Sequence, residues 1–471
     1  MAPIRCDSPT RRSVSVGLAA TLVALGKPAI TRAETAQAGV ARTLTAAPLR
    51  KKLHPDAAAE ADLLAFDGQV PGPVLRVRHG EEVRVRFQNK SPLLLSLHWH
   101  GVRNANRMDG VGGLTQAPVA PGEEFEYRFT PPDIGTFLVR PVVIGATAEP
   151  TERGLSGLLV VDEREPLPVD AEYLLLIDDW RLNPDGTLAP FGDPLEAATG
   201  GRLGNWLAVG DTPAPRQIAA APGARLRLRL ANACNARAMR IRFDGLKVYV
   251  VAVDGQPTDT FEPLRSTLPF PPGTRYDLLV ELPPEPEHRG TVTALLGPGV
   301  PLVAIATAGE AAGKRSALPP IGPLPDNKNL PSAIRLQDAV RRDVVVAGGA
   351  ARGPQGQPVY DGDPRRVWTV NGAAGDHKAK PLFSVKRGTP VVLAINNATP
   401  TAQPIHLHGH VFRLLHPFDD GWEPYWLDTL QVPENRTVRI AFVADNPGKW
   451  LLASTVLERF DTGLWTWFEV T

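Results

Sequence analysis

The chain has 471 residues, enough for roughly two to four domains. Its 51 Lys and Arg residues balance 50 Asp and Glu residues, and the net charge of +1 excludes a general electrostatic attraction to nucleic acid or to an anionic membrane. The 43 Gly and 48 Pro residues separate short strand-like segments, a pattern that favours an all-β protein with many short connections.

The N-terminal segment has the pattern of an export signal. Arg11 and Arg12 precede an apolar run that ends near Gly26, and Ala36-Gln37-Ala38 supplies a small-x-small cleavage site. Paired arginines before a modest apolar core are typical of a twin-arginine signal, and the run is too short to span a bilayer. We therefore predict a signal peptide over residues 1–38 and a periplasmic mature chain without a transmembrane segment. A disordered basic tail is the alternative.

A strand pattern that starts at a glycine and ends in asparagine occurs three times, over residues 80–89, 223–232 and 388–397. Alternating apolar residues in each copy predict a half-buried strand, and the repetition indicates a duplicated domain. We predict three tandem Greek-key β-sandwiches over residues 39–165, 166–308 and 344–471, with a Pro/Gly/Ala-rich linker over 309–343. In the second copy Arg225, Arg227 and Arg229 alternate with leucine, which predicts a solvent-facing side of the strand.

Two short stretches carry histidines at alternate positions. His98 and His100 flank a tryptophan, and His406, His408 and His410 alternate along a later strand-like run. Period-two spacing sends alternate side chains to one face of a strand, and neutral imidazole suits copper, zinc, iron or nickel. Because the stretches lie in the first and third predicted domains, we expect a metal centre, or what remains of one, at the interface between those domains.

The chain contains two cysteines, Cys6 and Cys234. Cys6 lies in the predicted signal, so the mature chain has no predicted internal disulfide. Cys234 is expected to be a small buried hydrophobic residue rather than a ligand.

Taken together, these motifs resemble those of multicopper oxidases. They are His98-Trp99-His100-Gly101, Met108-Asp109-Gly110, Gly135-Thr136-Phe137, Pro404-Ile405-His406-Leu407-His408-Gly409-His410, Asp428-Thr429 and Asn446-Pro447-Gly448-Lys449-Trp450. The resemblance covers the whole mature chain and implies three cupredoxin-like domains and an oxidoreductase class. It also implies four coppers: one takes electrons from the substrate through a cysteine and two histidines, and a cluster of three, bound by eight histidines, reduces dioxygen.

Several positions at which the resemblance implies metal donors carry other residues here. They are Arg140, Val142, Gln403, Ala453, Ser454, Thr455 and Arg459, together with Leu464 at the usual axial position. The electron-entry copper needs a thiolate, whereas Ser454 offers a hydroxyl that does not ionise. A fixed positive charge at Arg459 opposes a bound cation. We therefore do not expect four-copper oxidase activity or a full set of four coppers.

Four histidines of the implied copper cluster remain. The resemblance matches His98 and His406 to the ligands of the single copper in the cluster, and His100 and His408 to one ligand on each of the other two. It matches Asp109 to an acidic residue that delivers protons, a role that applies here only if a metal is bound. His410 corresponds to a retained histidine that does not ligate. The four donors either hold one copper or zinc ion or persist as a packed polar seam between domains.

Three functions stay open on the sequence. The leading hypothesis is a periplasmic, multicopper-oxidase-like pseudoenzyme that binds or scaffolds an unknown protein or small molecule. The alternative is a mononuclear copper- or zinc-binding protein or metalloenzyme that uses the remaining histidines. An active laccase-like oxidoreductase is the third, and the missing thiolate argues against it.

Overall fold

The computed structural model describes residues 42–309, 319–417 and 421–471. In these residues nearly all regular structure is β-strand, arranged as three β-sandwiches, so the all-β prediction is confirmed. The predicted signal peptide lies outside the described residues, as does part of the predicted linker. No helix within the described ranges has the length and apolar character needed to cross a membrane. The predicted domain limits stay predictions.

The first sandwich contains strands β1 to β8, a 3₁₀ turn at Asn106–Met108 and helix α1 (Ala148–Glu152). The strands are β1 (Arg42–Lys51), β2 (Ala61–Phe66), β3 (Leu75–Arg78), β4 (Val83–Asn89), β5 (His98–His100), β6 (Glu124–Phe129), β7 (Gly135–Arg140) and β8 (Gly157–Asp162). One sheet has the order β2-β1-β4-β6 and the other β3-β8-β7-β5. The sheets enclose a core rich in Phe, Leu and Val, and β5 forms one sheet edge.

The second sandwich contains strands β9 to β20, helix α2 (Pro194–Ala198) and a 3₁₀ turn at Leu264–Ser266. The strands are β9 (Ala171–Trp180), β10 (Trp206–Val209), β11 (Thr212–Pro213), β12 (Arg216–Ala220), β13 (Arg225–Asn232), β14 (Met239–Asp244), β15 (Lys247–Val253), β16 (Gln256–Phe261), β17 (Thr267–Phe270), β18 (Arg275–Glu281), β19 (Arg289–Ala294) and β20 (Val300–Thr307). Its sheets have the orders β11-β10-β9-β13-β18-β15-β16 and β12-β20-β19-β14-β17.

The third sandwich contains strands β21 to β32, helix α3 (Leu457–Asp461) and a 3₁₀ turn at Leu336–Asp338. The strands are β21 (Val340–Gly348), β22 (Ala351–Arg352), β23 (Pro358–Val359), β24 (Trp368–Val370), β25 (Ser384–Val385), β26 (Thr389–Asn397), β27 (Gln403–Leu407), β28 (Arg413–Leu414), β29 (Thr429–Val432), β30 (Arg436–Ala444), β31 (Gly448–Ser454) and β32 (Trp465–Val470). The main sheets have the orders β24-β21-β26-β30-β28 and β25-β32-β31-β27-β29, and β22 pairs with β23.

The three repeated segments occupy equivalent strands, β4, β13 and β26. Each runs parallel to the first strand of its sandwich and antiparallel to a later strand. The closing residues Asn89, Asn232 and Asn397 are fully buried. Each side-chain oxygen accepts from the backbone N–H two residues further on, at 3.0, 3.1 and 3.1 Å, and each Nδ2 donates to backbone carbonyls. The repeat therefore ends in asparagine because one buried amide satisfies the backbone groups of the turn after the strand.

The prediction of a solvent-facing side for Arg225, Arg227 and Arg229 is wrong. All residues of β13 are buried. Carboxylates from neighbouring strands pair with the guanidinium groups, and buried charges persist in proteins only with such partners. The pairs include Arg225 with Glu281, Arg227 with Asp277 and Arg229 with Glu172, at nitrogen–oxygen distances of 2.8, 2.9 and 2.9 Å. Alternation with leucine indicates the two faces of a strand but not what covers them.

Candidate metal centre

Two short strands place four histidines in one buried cluster. His98 and His100 lie on β5, whereas His406 lies on β27 and His408 directly follows it. Their exposed fractions are 1%, 1%, 2% and 4%. The ring centroids of His100 and His406 are 3.8 Å apart, and those of His98 and His408 are 4.4 Å apart. The structure thus brings together the two histidine stretches from the first and third sandwiches.

The backbone fixes the orientation of two of these rings. His98 Nδ1 lies 2.7 Å from the backbone oxygen of Asp109, and His406 Nδ1 lies 2.9 Å from that of Asp428. A carbonyl oxygen only accepts, so each Nδ1 carries the proton and each Nε2 keeps a lone pair. Both Nε2 atoms are buried and have no hydrogen-bond partner within the described part of the chain. Metal-binding histidines use this arrangement, with the outer nitrogen hydrogen-bonded and the inner nitrogen free.

Asp109 holds a third ring. Its Oδ2 lies 3.2 Å from His408 Nδ1, and its Oδ1 lies 3.4 Å from His98 Nδ1. Burial opposes ionisation of this carboxyl, but the adjoining imidazoles outweigh it and the pKa of Asp109 is lowered. Burial, followed by repulsion from His98, lowers the pKa of His408 to about 3. The ligand atoms of His98, His406 and His408 all lie within 4.8 Å of one another.

His100 differs because both its nitrogens have hydrogen-bond contacts. Arg140 Nη2 lies 3.3 Å from His100 Nδ1, and guanidinium only donates, so Nδ1 accepts. His100 Nε2 then donates to Thr429 Oγ1 at 3.3 Å, and that hydroxyl donates to Asp428 Oδ1 at 2.8 Å. Burial, followed by repulsion from Arg275, lowers the pKa of Arg140 to about 10, which leaves the guanidinium charged at neutral pH.

Arg275, which the sequence analysis did not single out, holds Asp428 in place. Its guanidinium donates to both carboxylate oxygens of Asp428, at 2.9 and 2.7 Å. Burial opposes ionisation of Asp428, but Arg275 and then His406 outweigh it, so the pKa of Asp428 is lowered. Burial, followed by repulsion from Asp428, raises the pKa of Asp254 to about 7. The Asp428-Thr429 motif was the only sequence signal of this network, and it did not indicate a partner.

A small cavity of ≈ 10 Å³, about the space of one water, lies among the histidines. It is lined by the four histidines together with Arg140, Val142, Thr147, Ala453, Ser454, Thr455, Leu457 and Phe460. Five of the predicted replaced positions therefore line this cavity. Arg140 Nε, Arg140 Nη1 and Thr455 Oγ1 are buried there without hydrogen-bond partners among the described residues.

The predicted electron-entry position contains a hydrogen-bonded network of its own. Gln403 Oε1 accepts from Arg459 Nη1 at 2.6 Å, and Arg459 also donates to the backbone oxygens of Ala402 and Thr199. Ser454 Oγ accepts from a backbone N–H at 3.1 Å. Leu464, at the implied axial position, is buried. A hydroxyl, an amide and a guanidinium do not form the soft donor set that an electron-transfer copper requires.

Cys234 and His410 lie outside the histidine cavity. Cys234 is free and buried, as predicted, and its Sγ lies 3.9 Å from the backbone oxygen of Ile177. It belongs to a buried group with Asp178 and Asp179 that sequence reasoning missed, because consecutive acidic residues at a strand end resemble a surface turn. His410 Nδ1 lies 3.1 Å from the backbone oxygen of His408, and its ring packs against three aromatic side chains.

Comparisons with known proteins give the same family match in each of the three sandwiches. Family models described as multicopper oxidase match residues 49–166, 178–289 and 350–471. The multicopper oxidase MmcO of Mycobacterium tuberculosis is 30% identical over 460 residues, covering 90% of this chain and 86% of that protein.

Solved structures give the same result. The crystal structure of a multi-copper oxidase from Pseudomonas thermotolerans aligns with a TM-score of 0.79 and 32% identity, covering 92% of this chain and 99% of that one. Lac15 from a marine microbial metagenome aligns with a TM-score of 0.72 and 30% identity, covering 92% and 100% of the two chains. With three cupredoxin-type sandwiches and matching models in each, this chain belongs to the multicopper oxidase family.

Proposed function

We propose that this chain is a periplasmic, non-oxidase member of the multicopper oxidase family that binds a single transition-metal ion. His98, His406 and His408 are the proposed ligands, and copper and zinc are the ions that neutral imidazoles suit best. In this proposal Asp109 positions two of the rings and His100 stays in its hydrogen-bonded network. The proposed site does not include the electron-entry copper or the half of the three-copper cluster's ligand positions that carry other residues here.

One observation carries the metal proposal: the buried, unpartnered Nε2 atoms of His98 and His406. Leaving a buried polar atom without a partner is unfavourable, by about 1–3 kcal/mol for a neutral group. The opposite nitrogen of each ring is held by a backbone carbonyl, so neither ring can flip to satisfy Nε2 without losing that bond. A metal ion between these atoms satisfies both at once.

The donor chemistry supports the loss of four-copper oxidase activity. That reaction needs a thiolate to carry electrons inward and a cluster that accumulates them. The implied thiolate position has Ser454, and the amide of Gln403 is already bonded to Arg459. The residues present therefore do not fit the full copper set, although they fit one ion.

A bound ion would supply Lewis acidity, and with copper a single redox centre, inside a water-poor cavity. This chain's own residues would orient the histidine ligands and place a negative charge beside them. Asp109 fixes His408 through Nδ1, and its lowered pKa keeps the carboxylate ionised at neutral pH.

The location rests on the N-terminal segment. Arg11 and Arg12 ahead of a short apolar run support export by the twin-arginine route, which delivers folded proteins to the periplasm. Detecting the mature chain in the periplasmic fraction, and its loss when Arg11 and Arg12 are both replaced by lysine, tests this part of the proposal.

A metal-free binding or scaffold protein is the second candidate. The observation that favours it is the buried guanidinium of Arg140, which lies 3.3 Å from His100 and repels a cation. In that case the histidines are interdomain packing residues, and function depends on a surface that binds a periplasmic protein or small molecule.

The deciding experiment is metal stoichiometry by elemental analysis and calorimetry on the exported, purified chain, first stripped of metal and then titrated with copper(II) or zinc. We expect one equivalent for the wild type and for the control His377→Ala, whose side chain is exposed. His98→Ala and His406→Ala should abolish stoichiometric binding. Absence of a bound equivalent in the folded wild type refutes the metal proposal and leaves the scaffold candidate.

The same samples test the proposed loss of oxidase chemistry. Copper-loaded protein should lack the intense blue absorption of a copper(II)–thiolate bond and should not couple phenol oxidation to oxygen consumption. Either signal contradicts the proposal.

A further inference from the structure

A surface cleft lies where the first sandwich meets the second. Its volume is ≈ 550 Å³, within the range of about 300–1,000 Å³ that is usual for small-molecule sites. The end of β1, the start of β8, the middle of β9 and the start of β12 contribute to its wall, together with residues 68–74 and the turn at residues 210–211. It shares no lining residue with the histidine cavity, so it is a separate site.

Aliphatic side chains form much of the wall of this cleft. Leu158 and Leu176 belong to a buried apolar cluster that joins the first two sandwiches, and Leu174 packs against that cluster. Val74 is 38% exposed, so part of the apolar wall is open to solvent. Among the described residues that line the cleft, none has an aromatic side chain and four are glycines. Such a wall suits a flexible aliphatic chain better than a stacked ring. The aliphatic residues are Leu49, Val70, Val74, Leu158, Leu174 and Leu176.

Two cations line the same cleft without a carboxylate partner. Lys51 and Arg216 form no ion pair within the described ranges, and the one hydrogen-bond contact of Lys51 Nζ is to the backbone oxygen of Val70, at 3.5 Å. Arg50 also lines the cleft, but it is already paired with a carboxylate of β2 at 3.2 Å. Asp211 is the one carboxylate among the described lining residues, and it has no ion pair there either. The cleft therefore carries one positive charge in excess of its ion pairs.

We propose that this cleft binds an aliphatic monocarboxylate of medium chain length, with the carboxylate held by Lys51 and Arg216 and the chain along the aliphatic wall. A single carboxylate matches the one excess positive charge and accepts hydrogen bonds from both donors. Arg76, on β3 of the first sandwich, shows the usual arrangement at this interface, since it donates to Asp162 and Glu172 at 2.6 and 2.8 Å. The chain removes apolar surface from water against the interdomain cluster. This site goes beyond the proposed metal function and does not depend on it.

The test is isothermal titration calorimetry of the exported, purified chain with sodium decanoate, at concentrations below micelle formation. We expect one decanoate per chain and a negative heat-capacity change, which marks the burial of apolar surface. Affinity should rise by about twofold to fourfold for each added methylene from hexanoate through octanoate to decanoate. Decyltrimethylammonium, which has the same chain and a positive head, should bind at least about tenfold more weakly than decanoate. Equal binding of the two would refute the role of charge and the proposal with it.

Variants assign the two parts of the ligand. Lys51→Gln and Arg216→Gln should each weaken decanoate binding by about threefold to tenfold, because each removes a charge-assisted donor. Lys52→Gln is the matched control, since this neighbouring lysine is exposed and does not line the cleft, and it should keep wild-type affinity. Val74→Ser should weaken binding by about twofold to fourfold. Val359→Ser, at an equally exposed valine in β23 of the third sandwich, should have no effect.

The outcomes are separate from those of the metal proposal. Decanoate affinity should be the same in metal-stripped and in zinc-loaded protein, so a chain that binds no metal still tests the cleft. If the folded wild type does not bind decanoate, or if Lys51→Gln and Arg216→Gln both bind it with wild-type affinity, the cleft proposal is refuted. If Arg216→Gln does not fold, Lys51→Gln and Val74→Ser decide, and unchanged affinity in both refutes it.

Discussion

Asp109 provides the sharpest test of how the proposed metal site is organised. Its carboxylate lies 3.2 Å from His408 Nδ1, whereas its backbone oxygen holds His98 Nδ1 at 2.7 Å. A side-chain substitution therefore leaves His98 oriented and releases only His408. Asp109→Asn removes the charge but keeps an oxygen that can accept from His408, and Asp109→Ala removes both.

The expected loss follows from this division. Removing the hydrogen-bond partner of a metal-ligating histidine weakens metal binding by about tenfold to hundredfold, or about 1.4 to 2.8 kcal/mol. Because one of three proposed ligands is released, we expect Asp109→Asn near the tenfold end and Asp109→Ala near the hundredfold end. The assay is competition for zinc against a chromophoric chelator at neutral pH, where the Asp109 carboxylate is ionised.

Asp445→Asn is the matched control. That carboxylate lies 3.9 Å from His410 Nε2, so it neighbours a histidine that is not a proposed ligand. It should retain wild-type zinc affinity. Wild-type affinity in Asp109→Ala, with folding verified by circular dichroism, would refute the assignment of His408 as a ligand oriented by Asp109.

Three further outcomes follow from the geometry. Ser454→Cys alone should stay colourless with copper(II), since the adjacent amide and guanidinium remain, and an intense blue band from this single variant would contradict the donor argument. Asp428→Asn should lower the free energy of unfolding by about 3–5 kcal/mol in urea titrations, because buried Arg275 loses its bidentate partner. An unchanged urea midpoint would show that the Arg275–Asp428 pair is not important for stability. Asp133, paired with Arg103 at 2.8 Å, has its pKa lowered because that ion pair outweighs burial. Its contribution is present above the unfolded pKa of about 3.9 and is lost as pH falls through the lower folded value, so Asp133→Asn should flatten the acid limb of the stability–pH curve.

The fold could be predicted because its signals are local and repeated. The strand pattern ending at Asn89, Asn232 and Asn397 carries both the period-two alternation and the amide that closes each strand. The residues that cover a strand face come from distant parts of the sequence, and the prediction of a solvent-facing side for β13 failed for that reason. The guanidinium groups of β13 are covered by acidic side chains from β9, β18 and the end of the first sandwich, which no sequence window around β13 contains.

The candidate site, too, has features that the sequence predicts and features that it does not. Alternate spacing placed His98 with His100, and His406 with His408, on common faces, and the structure brings the two pairs together. The protonation pattern could not be predicted, because it depends on which backbone carbonyls, 11 and 22 residues further along the chain, face each ring in the folded structure. Gly101 shows the same limit: its φ of +92° is left-handed, and a Cβ there would collide with the guanidinium of Arg275.

Arg275 has a consequence for the architecture as a whole. It lies in the second sandwich and donates to the backbone oxygen of Thr136 in the first at 3.1 Å. It also donates to both carboxylate oxygens of Asp428 in the third. The middle sandwich therefore does more than separate its neighbours. Its Arg275 side chain fixes the position of Asp428, whose backbone oxygen orients the ring of His406. A protein made of only the first and third sandwiches would bring the imidazoles near one another. It would lack Arg275, so Asp428 and the His406 ring that it orients would no longer be held in place.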